Sequence, residues 1–134
     1  MWATNSFLKR CERLKQLGYS VSPKPSRFIA RGFADLGYEV FCVLPGQKIV
    51  SLFTGEKASF PESDKEHYFS VPSVDDIAEE LDRRELSFAL QSNEGRNWTV
   101  NVSSDEEFTE RTLEEAMVEA FISVLRRESD SESL

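Results

Sequence analysis

Two segments in the C-terminal half of the chain repeat apolar residues at the helical period of 3.6. The first follows Ser73, which we expect to cap the helix, and carries acidic residues in its first turn. Its apolar positions are Val74, Ile77, Ala78 and Leu81. The second begins at Thr112, the start of a Thr-x-x-Glu capping box, and its apolar stripe continues to Leu125. The pattern predicts two amphipathic helices.

Between these segments the pattern changes to strict alternation of apolar and polar residues. Residues 86–91 and 97–102 each alternate in this way, and a polar turn at 93–96 separates them. This predicts a β-hairpin that buries one face, which carries Phe88 and Trp98. We expect both helices to pack on that face. The polar stretch 103–111 is expected to be a loop.

The N-terminal half gives a less uniform pattern. Apolar positions from Phe7 to Leu17 predict a helix that Asn5 or Ser6 caps and Gly18 ends. Residues 27–36 also show helical spacing, which predicts a second helix, and the alternative is a strand over 27–33, which Gly32 favours. Further strands are expected at 38–44, in the centre of the sheet, and at 48–54. A Pro45-Gly46 turn joins them, and a polar loop follows over 56–70.

The combined order of elements predicts an α+β fold. We expect an antiparallel sheet of about four strands, formed by two hairpins and packed with amphipathic helices in a two- or three-layer sandwich. The chain has 134 residues, which suits one domain over 1–128. A helix-hairpin-helix unit over 73–127 lies within it, and residues 129–134 are expected to form a disordered acidic tail.

Charge is distributed unevenly along the chain. Residues 1–48 contain eight basic and three acidic residues, a net charge of +5, whereas residues 49–134 contain eight basic and 21 acidic residues, a net charge of −13. Long-range fields of this kind select binding partners more than they determine folds. The overall charge of −8 argues against a protein whose whole surface binds duplex nucleic acid.

Targeting and cofactor signals are weak. The first 18 residues mix charged and apolar side chains, and no apolar run approaches the ~20 residues of a membrane span, so we expect a soluble, cytoplasmic protein. Cys11 and Cys42 have no C-x-x-C spacing and are expected to be reduced, buried thiols. The six glycines form no phosphate-binding loop, so no cofactor is expected.

Three short motifs in the C-terminal half occur together. They are Asp76-Ile-Ala-Glu-Glu-Leu81 on the first helix, Trp98-Thr-Val100 on the second strand, and Thr112-Leu-Glu-Glu-Ala116 at the start of the last helix. With these motifs, residues 73–127 resemble the phage ABA sandwich domain, found in small accessory proteins encoded by phages and prophages. The resemblance implies a sandwich architecture and a phage-related or bacterial origin. It implies no catalytic residue.

Residue types with catalytic potential are few. His67 is the only histidine, and its position in a charged loop is more typical of a solvated residue than of a catalytic one. Neighbouring carboxylates such as Glu114 and Glu115 could serve hydrolysis, but adjacent helical residues point about 100° apart and do not converge. A small hydrolase or transferase that uses a Cys or carboxylate nucleophile therefore remains an alternative, not the first hypothesis.

The first hypothesis is a non-enzymatic accessory protein that binds another macromolecule, a protein partner, through an acidic surface. The candidate partner-binding residues are Asp75, Asp76, Glu79, Glu80, Glu114, Glu115 and Glu119. A further alternative is nucleic-acid binding through a basic N-terminal patch. Its residues are Lys9, Arg10, Arg13, Lys15, Arg27 and Arg31. The competing account is that this patch pairs with the acidic half, within one molecule or in a homodimer.

Overall fold

The computed structural model describes residues 3–20, 23–32, 37–103 and 106–132. The chain divides into two compact units, Met1–Val71 and Pro72–Leu134, called the N-terminal and C-terminal units below. Both combine helices with an antiparallel sheet, so the predicted α+β class is confirmed. Because two compact units can belong to one domain, the single domain over 1–128 stays a prediction.

The described residues of the N-terminal unit form one α-helix, a short 3₁₀ helix and a five-stranded sheet. The elements are α1 (Asn5–Gln16), β1 (Phe28–Gly32), β2 (Tyr38–Leu44), β3 (Lys48–Ser51), β4 (Lys57–Ser59), a 3₁₀ helix (Glu62–His67) and β5 (Phe69–Val71). The strand order is β4-β3-β2-β1-β5, and every neighbouring pair is antiparallel. The predicted central position of β2 is confirmed. Thr4, and not Asn5 or Ser6, caps α1 by accepting from the backbone N–H of Phe7.

Two further predictions for this unit are wrong. Residues 28–32 form strand β1 and not a helix, so the strand alternative is correct there, while residues 33–36 lie outside the described residues. Pairing explains this result, because β1 is hydrogen-bonded to β2 on one side and to β5 on the other. The loop predicted over 56–70 contains β4, the 3₁₀ helix and β5. β4 pairs with the preceding strand β3, whereas β5 pairs with the distant strand β1, which local sequence does not show.

Each face of the five-stranded sheet has its own cover. Helix α1 packs on β5, and the hydroxyl of Tyr38 donates to Glu12 Oε1 at 2.9 Å, which places α1 over the face that carries Tyr38. The opposite face carries a core of buried apolar residues: Ile29, Phe41, Val43, Ile49 and Phe60. Tyr68 packs edge-on against Phe41 and Phe60, so the chain from β4 to β5 closes this second core.

The C-terminal unit contains two helices and a three-stranded sheet. Its elements are α2 (Val74–Arg83), β6 (Phe88–Ser92), β7 (Trp98–Val102), β8 (Glu106–Glu110) and α3 (Leu113–Glu132). The predicted hairpin is β6–β7, and both predicted helices are present. The sheet has the order β6-β7-β8. Strand β8 occupies part of the predicted loop, and the described residues form eight strands in two sheets where one sheet of about four is predicted.

Helix α3 forms the centre of the C-terminal unit. It packs on β7 and β8, whose inner face buries Val100 and Val102, and α2 packs against it. Arg127 and the hydroxyl of Ser123 both bind the carboxylate of Glu106 on β8. The predicted packing of apolar helix positions on the inner face of the hairpin is therefore observed for α3 and β7.

The last helix is longer than the sequence pattern predicts. Residues 129–132 continue α3, where the sequence predicts the start of a disordered acidic tail. One contact that favours the extension is the bond from Arg84 to Glu128, which fixes the helix one turn beyond its last apolar residue. Ser133 and Leu134 lie outside the described residues.

Candidate interaction surfaces

Helix α2 presents a stripe of exposed acidic side chains. Asp75, Glu79 and Asp82 are all exposed and occupy positions i, i+4 and i+7 of the helix. Residues at this spacing share one face, so their three carboxylates point into solvent together. We call these three residues the α2 acidic stripe. Sequence reasoning missed Asp82, although its spacing from Asp75 and Glu79 could have revealed it.

The other two acidic candidates on α2 have structural roles. Asp76 accepts from the backbone N–H of Ser73, and Ser73 accepts from the backbone N–H of Asp76, which completes a capping box. Glu80 binds Arg83 at 3.0 Å and Arg84 at 2.6 Å, and its side chain is only 14% exposed. These carboxylates hold α2 in place and contribute little surface for a partner.

The three acidic candidates on α3 do not form a solvated face, which corrects the sequence-based interpretation. Glu115 is buried, with 8% of its surface exposed, and Glu114 and Glu119 are half-buried. The apolar stripe in the sequence of α3 predicts that only one side of this helix is buried. In the structure, the successive residues Ala116, Met117 and Val118 are all buried, so α3 is enclosed on several sides and its early carboxylates are partly enclosed with it.

The four basic candidates on α1 differ in their exposure and in their hydrogen bonds. Lys9 and Arg13 are exposed one helical turn apart. The ammonium group of Lys15 donates to the carbonyl oxygens of Glu66 and Tyr68, which joins α1 to the end of the 3₁₀ helix. Arg10 donates to the hydroxyl of Ser6 at 2.7 Å. Arg13 donates to Oε1 of Gln16 at 3.2 Å, so three of the four cations have hydrogen-bond partners within the fold.

Arg31 does not belong to the same face as the α1 cations. It lies directly opposite Glu39 in the β1–β2 pairing, with 3.6 Å between Nη2 of Arg31 and Oε1 of Glu39. Its guanidinium group lies over the rings of Phe41 and Tyr68, at 5.4 and 5.6 Å from their centres. This is the sheet face opposite α1. Arg27, just before β1, is exposed. The six predicted cations therefore do not form one patch.

One pocket in the N-terminal unit lies beside the end of α1. Its volume is about 390 Å³, and Lys15, Lys65, Tyr19 and Tyr68 line it together with apolar residues such as Ile29. Lys65 binds Glu62 in an ion pair, and Lys15 is held by two carbonyl oxygens. The carboxylate of Glu62 offsets the charge of Lys65, whereas the neutral carbonyls occupy N–H donors of Lys15 and leave its charge in place.

Cys11, Cys42 and His67, the residues with nucleophilic or acid–base potential, differ in burial. Cys11 is buried in α1, and this burial raises the pKa of its thiol far above the usual range, which suppresses the thiolate that nucleophilic catalysis requires. Cys42 is half-buried on β2, and His67 is exposed at the end of the 3₁₀ helix. Within the described ranges, no group of three or more His, Cys, Asp or Glu residues is arranged to hold a metal ion.

Comparisons of the chain with protein-family models, with curated proteins and with solved structures found no match. The resemblance of residues 73–127 to the phage ABA sandwich domain therefore stays a prediction. Among the helices that the structure describes, none combines the length and the apolar character that crossing a membrane requires.

Proposed function

We propose that this chain is a non-enzymatic interaction protein that binds another macromolecule, a protein with a basic surface, through its C-terminal unit. The observation that carries this proposal is the α2 acidic stripe of Asp75, Glu79 and Asp82, three exposed carboxylates on one helical face. The distribution of charge between the two units supports it. The C-terminal unit has 17 acidic and six basic residues, a net charge of −11, whereas the N-terminal unit has a net charge of +3 from ten basic and seven acidic residues.

The rigidity of α2 also supports a docking role. Its first turn is fixed by the Ser73–Asp76 capping box, and its last turn is fixed by Arg84, which binds both Glu80 and Glu128. A docking group held by a fixed helix loses less conformational entropy on binding than one on a flexible tail. The stripe is therefore positioned for complementary charges on a partner, which accelerate association and favour the correct orientation.

The two alternatives have less support. A thiol enzyme would require a reactive cysteine, and burial raises the pKa of the Cys11 thiol. Nucleic-acid binding would require a continuous basic surface, and the candidate cations lie on different elements, some of them already engaged. The resemblance of residues 73–127 to a phage domain favours an accessory role in a phage or prophage.

The proposal is tested by capture of a partner from a lysate of the source organism at two salt concentrations. We expect a protein with a basic surface to bind the wild-type chain at about 50 mM salt and to be released at about 500 mM, where screening shortens the reach of surface charges. A variant with Asp75→Asn, Glu79→Gln and Asp82→Asn should capture at least about tenfold less of this protein.

A matched control separates the α2 acidic stripe from total charge. Glu94, Glu107 and Asp130 are exposed acidic residues of the same unit that lie outside the stripe. The variant Glu94→Gln, Glu107→Gln, Asp130→Asn removes the same amount of charge and should retain most of the captured protein. Equal loss in both variants, or capture that does not depend on salt, would contradict the proposal.

A further inference from the structure

Strand β6 forms an open edge of the three-stranded sheet. Only β7 pairs with it among the described residues, and β8 forms the opposite edge. Residues 89–92 of the strand are all exposed to solvent. An edge strand of this kind presents its outward backbone groups to any extended chain that lies alongside it.

The hydrogen-bond pattern identifies which backbone groups face outward. The backbone N–H of Ser103 donates to the carbonyl of Ser87, and the N–H of Asn93 donates to the carbonyl of Asn97, so both of these pairs are hydrogen-bonded pairs of the ladder. Hydrogen-bonded and non-hydrogen-bonded pairs alternate along an antiparallel ladder. The residues in the alternate pairs are Phe88, Leu90 and Ser92, and their N–H and C=O groups therefore point away from β7.

The side chains of the same three residues lie on the inner face of the sheet. Leu90 lies opposite the buried Val100, on the face that α3 covers, yet 42% of its surface is exposed. The reason is that α3 packs on β7 and β8, so the edge next to β6 is left uncovered. The open edge thus combines outward backbone groups with an apolar side chain that the unit itself does not bury.

Strand β6 also lacks the features that usually protect an edge strand. Its sequence, Phe-Ala-Leu-Gln-Ser, contains no charged residue, proline or glycine. Two other edge strands do carry charge: β4 contains Lys57, and β8 contains Glu106, Glu107 and Glu110. The remaining edge strand, β5, is also uncharged, but its Phe69 and Val71 are buried and α1 packs on it. Charged side chains on edges oppose unwanted pairing, so their absence from β6 indicates that pairing is tolerated there.

We propose that β6 is a docking edge for an extended segment of a protein partner, which adds to the sheet as a fourth strand. Residues of the segment opposite Phe88, Leu90 and Ser92 bond to the outward backbone groups, and their apolar side chains cover Leu90. The intervening residues, whose side chains lie on the outer face, are Lys or Arg, because the unit carries a net charge of −11. A second copy of this chain is disfavoured as the occupant, since two such units repel each other.

This inference adds a binding mode to the proposed function and does not depend on the α2 acidic stripe. It is tested with the full chain and an acetylated, amidated peptide of alternating lysine and valine, about seven residues long. We expect titration followed by NMR to shift the backbone amide signals of Phe88, Leu90 and Ser92 most. A control peptide with N-methylated valines has lost the donors that face β6, and it should bind at least about tenfold more weakly.

Two substitutions on the same strand give the matched comparison. Leu90→Lys places a charge on the inner face, and we expect it to weaken peptide binding at least about tenfold. Ala89→Lys places the same charge one residue away on the outer face and should weaken binding by less than about threefold. Leu90→Thr keeps a strand-forming residue at this position but removes the apolar surface of Leu90. It therefore tests the apolar contact with the peptide even if Leu90→Lys folds poorly.

Three outcomes would overturn the proposal. The first is peptide binding that shifts only the amide signals of α2 and leaves β6 unchanged. The second is equal binding of the N-methylated peptide, which would show that charge alone drives association. The third is self-association of the chain without peptide that Leu90→Lys abolishes, which would make a second copy the occupant.

Discussion

Arg84 joins the two helices of the C-terminal unit through Glu128. Nε of Arg84 donates to Oε1 of Glu128 at 2.5 Å, and the same guanidinium group binds Glu80 and lies 5.4 Å from the ring centre of Phe121. Its side chain is 25% exposed, so solvent screens these charges less than it would screen a fully exposed pair. One residue at the end of α2 therefore fixes that helix, and with it the α2 acidic stripe, on α3.

We therefore expect Arg84→Ala to destabilise the protein. Loss of two ion pairs and a cation–π contact should lower the free energy of unfolding by about 1–3 kcal/mol, measured by urea titration. The neighbouring Arg83 is the control, because its side chain is 70% exposed and pairs only with Glu80 among the ion pairs found in the described ranges. Arg83→Ala should stay within about 0.5 kcal/mol of wild type, and equal effects would refute the role assigned to Arg84.

Ser51 forms hydrogen bonds to the turn after β3 and to the largely buried carboxylate of Glu39. Its hydroxyl donates to Glu39 Oε2 at 2.8 Å and accepts from the backbone N–H groups of Phe53 and Thr54. Ser51→Ala should lower the free energy of unfolding by about 2 kcal/mol, because it leaves a largely buried carboxylate with one donor fewer. Thr54→Ala is the control, because it removes one exposed hydroxyl that accepts from the backbone N–H of Glu56. It should lower the free energy of unfolding by less than about 1 kcal/mol, with both variants measured by thermal or urea unfolding.

The Tyr38–Glu12 contact predicts a loss of stability at high pH. Burial, the hydrogen bond to Glu12 and the charge of Glu12 together raise the pKa of Tyr38 from 10 to about 12. The folded state therefore keeps the phenol proton more tightly than the unfolded state. The contribution of Tyr38 to stability is complete below about pH 10 and is lost as the pH rises toward about 12. Urea titrations across this range should show a smaller decline for Tyr38→Phe, and an equal decline would exclude the contact.

The two cysteines should differ in their reactivity with a thiol reagent. We expect native Cys42, which is half-buried, to react before Cys11, whose burial raises the pKa of its thiol. Native Cys42→Ala protein, which retains only Cys11, should react at least about tenfold more slowly than native Cys11→Ala protein, and denatured samples should react equally. Rapid reaction of native Cys11 would revive the thiol-enzyme alternative.

Elements with strong local signals could be predicted from sequence. Ser73 and Thr112 mark the starts of α2 and α3, and both accept hydrogen bonds from the backbone N–H of the residue three positions later. The β6–β7 hairpin follows from the alternation on either side of the turn at 93–96. In each case the residues that determine the structure lie within a few positions of one another.

Elements whose apolar pattern is weak or does not alternate could not be predicted in this way. β8 has only one large apolar residue, Phe108, and its strand conformation results from pairing with β7. In β1, both Ile29 and Ala30 are buried because both faces of the sheet are covered, so its apolar residues do not alternate and resemble a helical face.

The sequence predicted only part of the candidate acidic surface on α2 and α3. Asp75 and Glu79 are exposed as expected. Glu80 and Arg84 lie at positions i and i+4, a spacing at which oppositely charged helical residues pair, so this ion pair could have been predicted from sequence. Burial of Glu115 could not, because it depends on where α3 lies within the C-terminal unit. Exposure of Leu90 likewise depends on the position of α3 over β7 and β8.

The most direct test of the proposed docking role is hydrogen–deuterium exchange of the full chain, measured by mass spectrometry alone and in complex with the captured partner. We predict that the partner slows exchange in α2 (Val74–Arg83), where the α2 acidic stripe would be covered, and that high salt removes this protection. Protection confined to residues 3–71, with α2 unchanged, would contradict the account.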